Sequence, residues 1–347
     1  MAPRDQPFRL ITKESDMNQR FKCLCVFLFM LVTFTGTSVL AQPAGAGVAS
    51  YPNRPIKIVV ATGAGGITDL LARFVGQKIS ENLGQPVVIE NRPGAGGTIG
   101  SSAVAKSVPD GYTLLWIFPS HTVNPFLFKS LPYDTVKDFA PVIKVTNVEL
   151  VLIANQAVPA NSVQELIALA KRNPQKMNYG AVGDGSLGHL GALLFNETAG
   201  VSFVHVPYKG APQVLAALLA NDIQIFFDVP ITAIPQIQAG RVKALAVTGK
   251  QRAAVLPEVP TMVQAGLAGF EVAGFNGILA PAGTPTPVIQ KLNQEVGRIL
   301  KQPEVKQWFE SKALEPLGGS PELFAQDIQS DIAKWAKILS AAGIQSQ

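Results

Sequence analysis

The chain has 347 residues, of which 47% are hydrophobic and 15% are charged, and this length suffices for one large or two medium domains. Its formal net charge of +5 is mild, and no stripe of Lys and Arg interleaved with aromatic residues accompanies it, which argues against nucleic acid as a partner. Both cysteines, Cys23 and Cys25, lie in an apolar N-terminal segment. Without that segment no cysteine remains for disulfides, thiolate chemistry or cysteine-ligated metal. We also expect no bound metal and no cofactor.

Residues 1–41 have the organisation of a secretory signal peptide. A basic stretch ending at Arg20 and Lys22 precedes the apolar run Cys23–Leu40, and the small residue Ala41 closes it. The alternative is a membrane anchor, because the run approaches the roughly 20 residues that span a bilayer. Threonine, glycine and serine residues dilute its second half, which favours cleavage and export. Translation could also begin at Met17.

From Tyr51 onward the sequence alternates between strand and helix patterns. Ile56–Ala61 is a short run rich in β-branched residues, which predicts a buried strand. Thr68 and Asp69 are candidates to cap the following helix, and Gly84 is a candidate to end it. Further strands are expected at 85–90, 112–118, 177–182, 202–206, 223–227 and 244–247.

The later helices carry their own start signals. Ser162 and Glu165 form a capping box at the start of a helix that Pro174 limits. Proline directly after Thr284 and directly after Ser320 predicts two C-terminal helices that begin with proline.

This alternation with short links predicts an α/β fold of mainly parallel sheets flanked by helices. The two series, 51–146 and 156–268, are too long for one compact sheet and indicate two lobes. Glu149–Asn155 and Phe270–Ala280 are interpreted as two hinge strands that join them. The expected division is a signal peptide at 1–41, lobe 1 at 51–152 with 277–347, and lobe 2 at 153–276.

Five strand-to-helix junctions are unusually rich in small and hydroxyl residues, and open α/β sheets bind ligands at such junctions. They are 61–69, 119–122, 182–189, 207–211 and 228–232. Glycines let a ligand approach the backbone closely, and free N–H groups at a helix start favour an anion. Each junction alone is more simply a tight turn. Taken together, facing junctions from two lobes would surround a carboxylate with N–H and hydroxyl donors without needing arginine.

Two glycine-rich strings have competing interpretations. Gly183–Gly188 matches the spacing G-x-G-x-x-G, but the position about 20 residues on, where a dinucleotide site wants an acidic residue, lies within His205–Lys209. A dinucleotide site is therefore disfavoured. Asn91–Gly100 is interpreted as a loop folded against the first junction, with Arg92 packing rather than binding.

The titratable residues near the junctions are also open to two interpretations. His121, His189 and His205 have no metal-ligand spacing and are each more simply hydrogen-bonded structural residues. Asp228 follows an apolar strand, where its carboxylate could accept backbone N–H groups at a helix start or contact a ligand. No nucleophile–base pair or metal set that would indicate an enzyme is evident.

Many short segments in order along the chain carry a resemblance to a known family. Among them are Tyr51-Pro-Asn-Arg-Pro-Ile56, Glu90-Asn-Arg-Pro-Gly-Ala-Gly-Gly97, Pro109-Asp-Gly-Tyr-Thr-Leu114, His205-Val-Pro-Tyr-Lys-Gly210 and Leu256-Pro-Glu-Val-Pro-Thr261. In these segments the chain resembles the Bug (TctC-like) proteins, the extracytoplasmic receptors of tripartite tricarboxylate transporters. The likeness runs from Tyr51 to about Gly343.

The resemblance implies a type II periplasmic-binding-protein fold that closes like a flytrap on a small carboxylate. It further implies a non-catalytic, periplasmic, monomeric receptor that delivers its ligand to the membrane subunits of a tripartite transporter. The positions expected to bind ligand are Thr62, Gly63, Ala64, Gly65, Gly66, Thr68, Asp69, Phe118, Ser120, His121, Thr122, Gly185, Ser186, His189 and Asp228.

The chain departs from the family pattern at Trp116–Phe118, where small residues are usual, and at Phe275, where tryptophan is usual. Ala61 and Thr62 likewise replace the family's usual Pro and Phe. Together these changes are expected to make one side of the pocket bulkier and more apolar, which leads to the hypothesis of a smaller or partly apolar, aromatic monocarboxylate ligand. Two other roles stay open at this stage: a receptor that signals to a sensor kinase, and an exported α/β enzyme that acts on a small acid.

Overall fold

The structure is a computed structural model, and it describes residues 50–182 and 185–341. The predicted signal peptide, both cysteines, Gly183 and Asp184 lie outside the described residues. Within the part that is described, no helix is both long and apolar enough to cross a membrane.

The strands form two five-stranded sheets, one in each lobe of a two-lobed α/β fold. Their bounds are β1 Ile56–Val60, β2 Val87–Asn91, β3 Thr113–Ile117, β4 Phe139–Glu149, β5 Val151–Asn155, β6 Asn178–Val182, β7 Val204–Tyr208, β8 Ile225–Asp228, β9 Val242–Val247 and β10 Ala273–Pro281. Lobe 1 is built on the order β2-β1-β3-β10-β4, and lobe 2 on the order β7-β6-β8-β5-β9. The predicted two-lobed fold class is confirmed.

The helices flank these sheets. Their bounds are α1 Ile67–Leu83, α2 Thr98–Ala105, α3 Ser120–Leu127, α4 Val163–Arg172, α5 Leu187–Ala199, α6 Ala211–Ala220, α7 Pro230–Gln238, α8 Thr286–Ile299, α9 Pro303–Glu310 and α10 Pro321–Ala341. Helices α1–α3 and α8–α10 pack on lobe 1, as the stacking of Phe74 on Trp308 and the bond from Asn82 to Glu295 illustrate. Helices α4–α7 belong to lobe 2.

The two sheets have the same mixed topology. In each, three strands run parallel (β2, β1 and β3; β7, β6 and β8), and the two remaining pairings are antiparallel. The antiparallel pairings arise because a strand arriving from the other lobe, β10 or β5, enters the sheet against the local direction. The alternation of strands and helices in the sequence does not reveal this insertion. Because of the insertion, each sheet has fewer parallel strand pairings than the sequence predicts.

The lobes are joined where β4 continues into β5 and where the chain returns from β9 to β10. Thr248 lies between the two crossings and is fully buried. Its hydroxyl accepts the N–H of Leu150 at 2.8 Å and donates to the carbonyl of Val272 at 2.6 Å. Its own backbone bonds the same two residues. One side chain thus ties both hinge crossings together. The predicted lobe boundaries fall inside β5 and β10, and that division stays a prediction.

Several local signals were interpreted correctly and one was not. Gly84 ends α1 in the left-handed region with φ of 66°, and the hydroxyl of Ser162 accepts the N–H of Glu165 at the start of α4. The capping of α1 by Thr68 and Asp69 is wrong, because the helix already begins at Ile67 after Gly66, which has no side chain to cap it. The carboxylate of Asp69 serves the loop before the helix instead.

Candidate functional site

A cavity of about 530 Å³ lies between the two lobes. Its size falls in the range of about 300–1,000 Å³ that is usual for small-molecule pockets. Lobe 1 contributes Gly96, Phe118, Ser120, Asn124, Leu127 and Phe128. Lobe 2 contributes Tyr179, Val182, Gly185, Ser186, His189, Leu193, Asn196, Phe203 and His205.

The lobe 1 wall is one face of helix α3 and the loop beside it. Ser120, Asn124 and Leu127 are spaced four and three residues apart, which places them on the same side of a helix. The Ser120 hydroxyl donates to the carbonyl of Gly96 at 2.9 Å, and the Asn124 amide donates to the same carbonyl at 3.0 Å. These two bonds fix the glycine loop against the helix. Asn124, a cavity residue, is 1% exposed.

The lobe 2 wall is one face of helix α5. Ser186, His189, Leu193 and Asn196 recur at spacings of three and four residues. Ser186 is the N-cap, and its hydroxyl accepts the N–H of His189 at 3.3 Å. The ring Nδ1 of His189 accepts the N–H of Gly185 at 3.1 Å. These two hydrogen bonds across the first turn fix the start of α5 at the cavity. The N–H groups and the dipole of a helix start favour an anion.

The lobes meet beside this helix start, at Gly185 and Leu127. Gly185 has φ of +74°, and a Cβ added to it would lie 2.0 Å from Cδ1 of Leu127. Glycine suits both conditions here, because other residues rarely adopt that φ and any side chain would require Leu127 to move.

The first predicted junction, Thr62–Asp69, lies at the same end of the lobe 1 sheet but does not line this cavity. Gly63, Gly65 and Gly66 face open space, with no atom within 4 Å of an added Cβ. Thr62 is half-buried, Ala64 is exposed and Thr68 is buried. Ligand contact by this loop stays a prediction.

Asp69 organises that loop. It is 2% exposed, and its carboxylate accepts from the N–H of Gly65 at 2.9 Å, from Arg73 at 3.0 Å and from Asn91 at 2.9 Å. Burial by itself raises the pKa of Asp69, but the bonds from Arg73, Gly65 and Asn91 outweigh it and hold the pKa below its usual value. A carboxylate with three partners is committed to shaping the loop.

The structure brings five of the predicted residues together at the cavity and places the others elsewhere. The five are Phe118, Ser120, Gly185, Ser186 and His189. His121 lies in the lobe 1 core, where its ring stacks near Tyr133 and its Nε2 lies 3.3 Å from the carbonyl of Thr135. Burial lowers the pKa of His121 to about 4. The Thr122 hydroxyl bonds Asp331 of α10 at 2.6 Å.

Asp228 ends β8 at the start of α7. It is 2% exposed and does not line the cavity. One carboxylate oxygen accepts the N–H of Val229 at 2.8 Å, as the structural interpretation expects. The other oxygen has no hydrogen-bond partner among the residues that the structure describes. Burial raises the pKa of Asp228 to about 6, against the smaller opposing effects of the nearby Thr232 hydroxyl and the Val229 N–H. Ligand contact by this residue stays a prediction.

The structure also shows where the residues that depart from the family pattern lie. Trp116 is fully buried and its indole N–H donates to Asn276 at 3.0 Å, while Phe275 packs edge-on against Phe324 in the lobe 1 core. Of the three bulky residues at 116–118, only Phe118 reaches the cavity. The loop at 91–100 folds against the first junction, as expected, with Gly100 close to Ala61 and Arg92 paired with Glu90.

Sequence reasoning missed most of the apolar lining. The missed residues are Asn124, Leu127, Phe128, Tyr179, Leu193, Asn196 and Phe203, and Gly96 and His205 were assigned structural roles. Extending the helix face of Ser120 or of Ser186 by three and four residues would have found four of them. The strand residue Tyr179 gave no such signal.

Comparison with known proteins places the chain in a family. The model of the tripartite tricarboxylate transporter family receptor (TctC) matches residues 71–344. A UPF0065 protein from the tcbD-tcbE intergenic region of Pseudomonas sp. strain P51 is 36% identical over 89% of this chain and 91% of its own length.

Two solved structures extend the likeness to the fold. Rpa4515 of R. palustris, solved with adipate, has a TM-score of 0.79 and 36% identity, covering 86% of this chain and 100% of the other. The periplasmic binding protein BugD has a TM-score of 0.76 and 35% identity, with the same coverage. This is a family of solute-binding proteins, which is not an enzyme class. The chain belongs to the tripartite tricarboxylate transporter receptor family, the TctC or Bug proteins.

Proposed function

We propose that this chain is a periplasmic solute-binding receptor that captures one small carboxylate between its lobes and delivers it to the membrane subunits of a tripartite transporter. The observation that carries the proposal is the cavity shared by both lobes, with the start of helix α5 at its edge. Family membership and the adipate bound to a relative of 36% identity support a carboxylate as the ligand. Export by cleavage of the signal peptide at residues 1–41 is part of the proposal.

The local chemistry supports an anion. Ser186 is the N-cap of a 13-residue helix, so the N–H groups of its first turn and its dipole attract negative charge. Ser120 lies on the opposite wall, where its hydroxyl donates to the carbonyl of Gly96 and holds the glycine loop beside the cavity. Binding across two walls stabilises the arrangement in which they face each other, since a ligand shifts a conformational equilibrium by its differential affinity.

The test begins with protein expressed from the full-length chain and purified without refolding. Native mass spectrometry is expected to show one small acid bound per monomer. Incubation of the protein with that acid in isotope-labelled form is expected to return it unchanged. Chemical conversion of the acid would indicate an enzyme, and the absence of binding to any small acid would contradict a carboxylate receptor.

Delivery is tested separately, in cells that accumulate the labelled acid. Deleting the receptor is expected to abolish uptake while the membrane subunits are still present, and restoring it is expected to recover uptake. Undiminished uptake in the deletion strain would contradict the transport role. If the same strain lost only its transcriptional response to the acid, the sensor-kinase alternative would replace delivery.

A further inference from the structure

Aromatic rings dominate both walls of the interlobe cavity. On the lobe 2 side, the ring of His205 stacks on Tyr179 at 4.9 Å and 16°, and on His189 at 4.4 Å and 29°. Tyr179 and His189 are themselves 6.3 Å apart at 22°, so the three near-parallel rings form a triangular cluster. Phe118 and Phe128 line the cavity from lobe 1. Facing rings of this kind favour a flat apolar guest, which packs against them with offset-stacked or edge-on geometry.

The charges of the lining restrict how many carboxylates the ligand can carry. Among the described residues that line the cavity, none is Lys, Arg, Asp or Glu. Asn196 is committed to Phe203 by two bonds, because its amide donates to the Phe203 carbonyl at 3.0 Å and accepts the Phe203 N–H at 3.1 Å. Leu193 is apolar. A second carboxylate placed away from the start of α5 would lose its hydration without gaining a Lys or Arg partner among the described lining residues, which is costly.

We infer that the ligand is a monocarboxylate with an aromatic body, whose ring packs between Phe118 and Phe128 on one side and the cluster of Tyr179, His205 and His189 on the other. This inference rests on the proposed function, since it assigns the carboxylate to the start of α5. Phe118 and Phe128 are then specificity residues: they discriminate by the shape and π-face of the guest, while the helix start holds its charge.

Calorimetric titration of the dialysed protein with matched probes tests the inference. Phenylacetate and 3-phenylpropanoate carry a ring and one carboxylate, cyclohexylacetate keeps the charge and the bulk without the aromatic face, adipate carries two carboxylates on an aliphatic chain, and phenylacetamide removes the charge. At least one aryl acid is expected to bind about tenfold or more tightly than cyclohexylacetate and adipate, which lack the aromatic face, and than phenylacetamide, which lacks the charge that the helix start favours.

Variants assign the effect to the rings. Phe128→Leu keeps apolar volume and removes a ring, and it is expected to weaken the aryl acid about five- to tenfold while changing cyclohexylacetate less than twofold. Phe74→Leu is the matched control, because Phe74 is a half-buried lobe 1 ring that stacks on Trp308 and does not line the cavity. It is expected to leave all affinities unchanged.

The outcomes separate this inference from the proposed function. Tighter binding of adipate or equal binding of cyclohexylacetate would overturn the aromatic monocarboxylate and leave the carboxylate receptor intact. Equal binding of phenylacetamide, or no binding of any acid, would overturn the receptor proposal as well. If Phe128→Leu weakened the binding of aryl and cyclohexyl acids equally, Phe128 would contribute apolar volume to the site and not an aromatic face.

Discussion

The two lobes share one sheet topology and use it differently. At the end of β1, lobe 1 places an exposed glycine loop whose shape depends on Asp69, whereas at the matching end of β6, lobe 2 places Gly185 and Ser186 against the cavity. At the end of β3 lobe 1 contributes the cavity residue Ser120, and at the matching end of β8 lobe 2 buries Asp228. The shared sheet topology thus fixes where each strand-to-helix junction lies. The residues of the junction determine whether it faces the cavity, solvent or the core.

Breaking the joint between the lobes is expected to have the largest effect. Thr248→Val removes the hydroxyl that serves Leu150 and Val272. It leaves a buried donor and a buried acceptor unpaired, at roughly 1–3 kcal/mol each. We expect the free energy of unfolding in urea to fall by about 2–4 kcal/mol.

Thr284→Val is the control for the joint. The buried hydroxyl of Thr284 makes one bond, to the carbonyl of Pro281 within lobe 1, so its loss is expected to cost about 1 kcal/mol. If the two variants lost equal stability, Thr248 would have no special role at the crossings.

Lobe 2 contains the first of two buried groups with opposite pH responses. Asp228 has its pKa raised from 3.8 to about 6, so it adds stability below pH 3.8 that is lost as pH rises through 6. At about 1.36 kcal/mol per pKa unit the loss is about 2–3 kcal/mol. Asp228→Asn is expected to gain stability relative to the wild type between pH 4 and pH 6, measured by urea unfolding at each pH. A constant difference across that range would contradict the raised pKa.

Lobe 1 contains the second group, and its sign is reversed. His121 has its pKa lowered from 6.5 to about 4, so its contribution is present above pH 6.5 and is lost as pH falls toward 4. His121→Phe keeps an aromatic ring beside Tyr133 and Phe139 and cannot be protonated. Its stability relative to the wild type is expected to improve by about 2–3 kcal/mol on acidification from pH 6.5 to pH 4. A difference that stayed flat would show that the imidazole is not buried in its neutral form.

The smallest expected effect comes from replacing two glycines of lobe 2, which differ in whether they lie against the other lobe. Gly185→Ala places a Cβ against Leu127 in addition to straining the backbone, and we expect ligand affinity to fall at least tenfold in calorimetry. Gly200→Ala introduces backbone strain without a steric contact, because Gly200 has φ of +61° and no described atom lies within 4 Å of an added Cβ. That strain is about 1–2 kcal/mol of stability, with no change in affinity.

Truncating Leu127 completes this test. Leu127→Ala combined with Gly185→Ala is expected to recover part of the lost affinity, because it removes the atom that the new Cβ would meet. If both glycine variants bound ligand normally, the contact between the lobes at Gly185 would be unrelated to binding.

The sequence was sufficient for features that depend on local signals. Adjacent residues in the sequence were enough to recognise the helix end at Gly84, the capping box at Ser162 and the extended crossing at Glu149–Asn155. It could not reveal that Trp116 faces the core, since a strand exposes alternate residues to opposite sides and a run of apolar residues hides which side is which. Nor could it place Tyr179 in the cavity, because that depends on how the lobes approach each other.

The central claim is that one carboxylate is held between the lobes, and a crystal structure of the protein with the tightest-binding acid from the calorimetric series tests it most directly. The account predicts electron density for one acid in the cavity, with its carboxylate at the start of α5 beside Ser186 and its body in contact with Phe118. Density bound to one lobe alone, or outside this cavity, would contradict it.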